Sequence, residues 1–403
     1  MTARRRDESA VGRAKLAELA RLFARLGTIS FGGPAAHIAL MRDEVVRRRR
    51  WLTDQDFLDL LGATNLIPGP NSTEMAIHVG HARAGWPGLL VAGACFITPP
   101  VLMVGALAWG YVRFGALPGA QGLLYGVKPV VIAIIARALW GLVRRAVKST
   151  WLGVLGLAAV VATASGVSEL VVLAAGAATA GLAQTMSGGG RRPESTAGGA
   201  LAAAPASFVS LAGAHARAAV LAAGSASAAA AVSFGTLFAV FLKAGAVLFG
   251  SGYVLLAFLR ADLVGRLGWL TEQQLLDAVA VGQVTPGPVF TTATFIGYVL
   301  GGPAGALVAT LGIFLPAFVY VAISAPIVPR LRRSALAGAA LDGVNVASMA
   351  LMVVVTWQLG RAALVDPLAM VLAVLSAVLL LGTRVNSVWL ILGGAVLGIA
   401  TTR

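Results

Sequence analysis

Forty residues of this chain recur 218 positions later without a gap. The stretch FGGPAAHIALMRDEVVRRRRWLTDQDFLDLLGATNLIPGP, Phe31 to Pro70, aligns with FGSGYVLLAFLRADLVGRLGWLTEQQLLDAVAVGQVTPGP, Phe249 to Pro288, and 15 of the 40 positions are identical. They include Phe31/Phe249, Gly32/Gly250, Arg42/Arg260, Trp51-Leu52-Thr53 against Trp269-Leu270-Thr271, Asp59/Asp277 and the whole Pro-Gly-Pro. A duplication constrains the fold more than any local pattern, because what one copy builds the other must build again. With small changes of offset the correspondence runs on through Pro87/Pro303 and Pro100/Pro316 to Gly126/Gly343. Residues 19–186 and 236–403 are read as two homologous repeats, preceded by a cytoplasmic extension, 1–18. A Gly/Ala-rich linker, 187–235, joins them, and its 198–231 stretch has room for one extra spanning helix.

Both repeats are written for lipid. The chain is 58% hydrophobic and 12% charged, against ~45–50% and ~25% in ordinary soluble domains. Trp86 to Val112, Gly122 to Val143, Gly302 to Ile323 and Leu341 to Leu359 approach the ~17–25 apolar residues of a spanning helix. Shorter pairs, Trp151 to Ala164 with Val167 to Met186 and Leu368 to Leu381 with Val385 to Ala400, read as compact helical hairpins. The expected fold is an all-α polytopic membrane protein. Its formal charge of +15 is scattered between apolar segments, so nucleic acid is excluded as a partner, and lipid headgroups or an anionic substrate remain. Cys95 is the single cysteine, which rules out an internal disulfide.

Short loops on the cytoplasmic side are enriched in Arg and Lys. In the first half the positive loops are Arg42 to Arg50 and Arg144 to Lys148, and the loop with Arg113 is nearly neutral. In the second half that last loop's counterpart carries Arg330, Arg332 and Arg333, and the counterpart of Arg144 to Lys148 keeps only Arg361. The bias changes sides. That predicts inverted-topology repeats with an odd crossing between the halves.

Each half is interrupted twice at matching places, FGGP and PGP in the first, FGSG and PGP in the second. Non-helical backbone is tolerated at membrane depth only inside protein or beside water, and paired Gly/Pro interruptions point to a transporter's binding site. A half-helix starting at such a break exposes free N–H groups and roughly half a positive charge, which suits an anion. Asn71, Ser72 and Thr73 follow the first break and Thr291 and Thr292 the second; Asn65 and Gln283 are amides just before them. The competing view is that Asn71 or Ser72 caps a helix that the prolines merely kink. Arg25 and Lys243, aligned at the same offset, and Lys128, aligned with Asn345, are buried cations suited to balancing an anion. They are equally suited to snorkelling or to ion pairs with Glu74, Asp59, Asp277 or Asp342. Thr53 with Asp56 and Thr271 with Gln274 form capping signals. His37, His78 and His81 do not recur in the other half and read as polar contacts more readily than as proton carriers. No spacing supports a metal site, a cofactor or an enzyme's nucleophile.

The motifs SFGGPAAHIALM, RRRRWLTDQDFLDLLGATNLIPGPNSTEMAIHVG and GVKPVVIAII, with FGSGYVLLAFL and WLTEQQLLDAVAVGQVTPGPVFTTATFIGYV, resemble those of the chromate ion transporter family in its long, two-half form. The resemblance implies a multi-pass protein of the bacterial inner membrane that lowers cytoplasmic chromate. Its motif residues correspond to Phe31, Gly32, Gly33, Pro34, Trp51, Asn65, Pro68, Gly69, Pro70, Asn71 and Lys128, with Gly250, Gly252, Gln283, Pro286, Gly287 and Pro288 in the second half. Chromate efflux by alternating access, driven by membrane potential, protons or both, is the expected function; sulfate or another dianion is the competing cargo. A membrane oxyanion sensor is the reading from another class, and the chain has no soluble output domain to favour it. The family reading leaves room for a homodimer.

Overall fold

The computed structural model describes residues 2–31, 33–115, 117–187, 232–249, 254–324, 335–383, 385 and 387–401. The 198–231 segment, Gly32, Gly250, Gly252 and the loop with Arg330, Arg332 and Arg333 lie outside the described residues. Every regular element described is helical. The first half runs α1 (Thr2–Ile29), α2 (Pro34–Arg42) continued by a π-helical segment (Asp43–Arg48), α3 (Asp54–Thr64), α4 (Asn71–Phe114), α5 (Pro118–Ala146), α6 (Thr150–Ala164) and α7 (Glu169–Ser187). The second repeats it as α8 (Phe234–Val247), α9 (Leu255–Leu259) with π-helical Arg260–Arg266, α10 (Glu272–Val284), and a 3-10 turn (Val289–Thr291) leading into α11 (Thr292–Ser324). It ends with α12 (Ala335–Ala363), α13 (Pro367–Gly382) and α14 (Ser387–Thr401). Among the described residues, five stretches are long and apolar enough to cross a membrane: Asn71–Phe114, Gly119–Ala146, Glu169–Met186, Val289–Ser324 and Gly338–Ala363. The protein is an all-α, multi-pass membrane protein.

Local chemistry repeats as faithfully as the elements. Thr53 Oγ1 accepts the Asp56 amide at 3.1 Å while Asp56 accepts the Thr53 amide at 3.2 Å. Thr271 and Gln274 make the same reciprocal pair at 3.1 and 2.9 Å. The Thr53 hydroxyl and amide hold the exposed Asp56 carboxyl below its ordinary range. Trp51 and Leu52 both donate to the Val45 carbonyl, and Trp269 and Leu270 both donate to that of Leu263. The WLT motif thus ends a π-helical segment and starts the next helix, in both halves.

The two long helices are bent back on themselves, a feature that the apolar windows do not reveal. Ala84 (φ −145°) and Gly85 (φ 62°) interrupt α4, and Gly301 (φ −149°) and Gly302 (φ 62°) interrupt α11 at the equivalent place. The positive φ selects glycine. Each helix becomes a hairpin, with a short arm from the break to the bend and a long arm beyond it. In α4 the arms touch at Gly80 and Gly88, in α11 at Gly297 and Gly305, where any Cβ would strike the opposite carbonyl.

The halves interlock rather than sit side by side. α5 packs along α14 and α12 along α7, each pair joining one half to the other, while α4 lies against α11. Gly122 meets Gly398 and Gly126 meets Gly394, so α5 and α14 run antiparallel. Gly343 against Gly176 is the equivalent crossing. Leu89 shares a cluster with Val321, and Gly93 lies beside Phe318. Farther along α4, Tyr111 meets Phe295, which the Thr294–Thr310 hydrogen bond places beside the middle of the long arm of α11. The equivalent long arms are therefore antiparallel, as inverted repeats require. Small residues allow this close approach in lipid, where no hydrophobic gain drives helices together.

An added methyl at Gly126 has backbone of α14 in its way. Gly126→Ala is expected to cost about 1–3 kcal/mol by overpacking and to lower the melting temperature of the purified protein. Gly105→Ala, with no neighbour within 4 Å, leaves it unchanged; equal melting of the two variants would contradict the interlocked packing.

Candidate functional site

The four breaks are joined in two pairs, and each pair crosses between the halves. The Gly69 amide donates to the Leu248 carbonyl at 2.7 Å, and the Gly287 amide donates to the Ser30 carbonyl at 2.8 Å. Both bonds connect a Pro-Gly-Pro break to the chain end of α8 or α1 in the opposite half. Gly69 and Gly287 adopt φ of 137° and 91°, which only glycine holds without strain. Gly287 also packs on Pro100 and Gly27, whereas Gly69 lies under the Glu74 carboxyl. Gly69, Pro70 and Pro286 to Pro288 are buried, so the freed backbone is kept from lipid.

Around these breaks the expected ligands are only partly gathered. Pro70 is the N-cap of α4 and supplies no side-chain cap, and Asn71 donates to Asn65 Oδ1 at 2.9 Å across the break. Ser72 and Thr73 are buried directly after it, and the Thr73 hydroxyl has no partner. In the second half Pro288 caps the 3-10 turn; Thr291 donates to the Pro288 carbonyl at 2.9 Å and Thr292 to that of Val289 at 2.8 Å. Those two hydroxyls spend their protons on their own turn. Gln283 is half-buried. At the other break Gly33 (φ 82°) caps α2, with Pro34 as its first residue, and Phe31 is exposed.

The three candidate cations fall into two kinds. Arg25 lies 3.6 Å from Glu44, which also pairs with Arg48 at 3.1 Å. Lys243 lies 2.7 Å from Asp262, which also pairs with Arg266 at 3.0 Å. The two triads superimpose at the 218-residue offset. They fasten α1 and α8 to the π-helical segments and satisfy these cations away from the Pro-Gly-Pro breaks. Glu44 and Asp262 share that offset too, so the sequence holds the signal for both partners.

Lys128 is different. Its ammonium lies 3.1 Å from Asp277, whose other oxygen accepts the Tyr111 hydroxyl at 2.9 Å. Lys128 has Asn345 at its equivalent position, so the pair belongs to one side only. Lys128, Asp277, Tyr111, Tyr125 and Gln273 line a cavity of about 330 Å³. An ammonium, phenols and an amide facing one open space can exchange internal partners for an incoming anion. Glu74, one turn after the first break, is fully buried and has no partner on either oxygen among the described residues. It stands outside the repeat pattern, since its counterpart is Thr292, and comparison of the halves therefore does not single it out.

The model of the family described as chromate transporter matches residues 17–182 and 235–399, covering both halves. A chromate transport protein of Cupriavidus metallidurans is 33% identical over 396 residues, 95% of this chain and 92% of that protein. A probable chromate transport protein of Synechococcus elongatus is 31% identical over 87% of this chain and 86% of its own length. A chromate transport protein of Pseudomonas aeruginosa is 34% identical over 74% and 70% respectively. No solved structure matches the chain. With both repeats matched and relatives this similar over most of their length, the chain belongs to the chromate transporter family.

Proposed function

We propose that this protein exports chromate, or a tetrahedral oxyanion like it, across the bacterial inner membrane by alternating access. The observation that carries this reading is the reciprocal bonding of the breaks, Gly69 to Leu248 and Gly287 to Ser30. It ties two half-helix N-termini, one per half, to a crossing about which inverted repeats can rock. The amides of Asn71 and Ser72 start one half-helix, and those of Val289 and Phe290 the other; each start favours an anion. The family's named relatives supply the cargo class.

In this reading the cavity at Lys128, which opens beside the Arg113 and Arg361 loops on the side poor in positive charge, is the exit. A dianion arriving from the breaks competes with Asp277 for the ammonium and for the Tyr111 hydroxyl, then leaves to the outer side. Outward movement of a dianion is favoured by an inside-negative potential at about 2.3 kcal/mol per charge per 100 mV. The charge clusters at Glu44, where Arg25 is exposed rather than buried and Arg49 also pairs, and at Asp262 hold the frame and do not touch the cargo.

Everted vesicles are expected to accumulate chromate when energised and to lose that uptake when an ionophore collapses the potential; uptake that persists unchanged rejects a potential-driven exporter. Sulfate added in excess measures the competing cargo. Replacing Pro68-Gly69-Pro70 by Ala-Leu-Ala removes the positive-φ glycine and its bond to Leu248. Transport is expected to vanish while membrane insertion remains, and retained transport would reduce the break to a kink. Lys128→Gln removes the cation of the outer cavity and is expected to raise about tenfold, the equivalent of about 1.4 kcal/mol, the KM for chromate presented from the outer side in right-side-out vesicles, with a smaller change in maximal rate.

A further inference from the structure

Glu74 sits in the first turn after the Pro68-Gly69-Pro70 break, fully buried, with no hydrogen-bond partner on either carboxyl oxygen among the described residues. Its carboxyl lies over the Cα of Gly69, where a Cβ would strike Oε1. Among the described residues no cation pairs with it. Charged neighbours on the elements around α4 are committed elsewhere: Arg25 of α1 to Glu44, Lys243 of α8 to Asp262, and Asp277 of α10 to Lys128. Asp59 of α3 accepts from Gln55, and Tyr320 of α11 donates to the Ala246 carbonyl at 2.9 Å. Imidazoles on the elements around it are His37 on α2 and His78 and His81 on α4 itself.

A carboxylate without water, cation or donor is disfavoured against its neutral acid. The same half-helix start is the proposed seat of an oxyanion, and two anions in one dry site repel each other. The second half has no such conflict, because Thr292 takes the equivalent position. We propose that Glu74 is a proton-linked ligand of the oxyanion, present in the occluded site as the carboxylic acid with its O–H donated to the cargo. It ionises when the cargo has left and the break is open to water. This rests on the anion site proposed above. One O–H bond forms on a Glu74 oxygen with a proton from water at the open face, and the same bond breaks on release; nothing is oxidised or reduced. Each oxyanion bound brings about one proton with it.

Sulfate is the probe, because it stays a dianion across the range in which a buried carboxyl titrates. Calorimetric titration of the full-length protein in nanodiscs, in buffers of different ionisation enthalpy, counts protons taken up per sulfate bound. Wild type is expected to take up close to one, and its Kd to weaken about tenfold per pH unit on the alkaline side of the Glu74 titration. Glu74→Gln is neutral at every pH; it takes up none and its Kd is flat. Glu74→Thr copies the second half and serves with the same expectation if the first variant misfolds. Proton uptake that survives in the variants belongs to the imidazoles and overturns the role of Glu74. So does a wild type that takes up none, or a folded variant that binds no sulfate at any pH. Failure of the anion site reads differently: neither sulfate nor chromate then produces binding heat with the wild type, and both proposals fall.

Discussion

A helix broken in lipid must find partners for the backbone groups the break sets free, and here each half finds them in the other. The Gly69 amide is satisfied by Leu248 and the Gly287 amide by Ser30. Because each bond has a twin, a shift of one half against the other strains both bonds together. The rest of the frame follows from this crossing. α5 locks on α14 and α12 on α7 through glycine contacts, and these interlocks hold the halves at the spacing the crossing needs. Neither half satisfies the glycine amide of its own Pro-Gly-Pro break, so the duplication is a structural requirement as well as an ancestry.

The repeat, the paired breaks and the capping boxes are legible in the sequence because each is a local pattern that occurs twice; the terminal helix pairs are legible as elements, but α7 and α14 dock on the opposite half instead of closing compact hairpins. The bends are less so. Gly85 precedes Pro87 by two residues and Gly302 precedes Pro303 by one; a proline after glycine reads as a helix start, yet the apolar run around it reads as one continuous span. Which break meets which is not legible at all, since it depends on how two inverted copies dock. The cations show a middle case. Arg25 and Lys243 stand out as charges in apolar surroundings, but their partners Glu44 and Asp262 lie 19 residues on in both halves. A charge that recurs with an opposite charge at the same spacing is a brace before it is a ligand.

The frame is symmetric and the chemistry is not. Lys128 faces Asp277 where the other half has Asn345, and Glu74 stands where the other half has Thr292. Inverted repeats require the elements that interlock to be duplicated, and the braces are duplicated accordingly. Residues that would handle a cargo are free of that constraint, because an entry and an exit do different work. Departures from the repeat are therefore better guides to the proposed site than agreements with it.

The charge balance of that site explains why the braces stand apart. Two half-helix starts contribute roughly half a positive charge each, about one unit against a dianion's two. Arg25 and Lys243 placed at the breaks would overbalance the cargo and hold it. Fastened to Glu44 and Asp262, they leave the breaks about one unit short of the proposed cargo, and Lys128 in its separate cavity, paired with Asp277, is the next cation on the proposed route. On that proposed route a cation held by an exchangeable carboxylate would draw the dianion off the breaks and revert to its own partner at release, so the cost of pulling the cargo away would be offset by re-forming a pair the protein already holds.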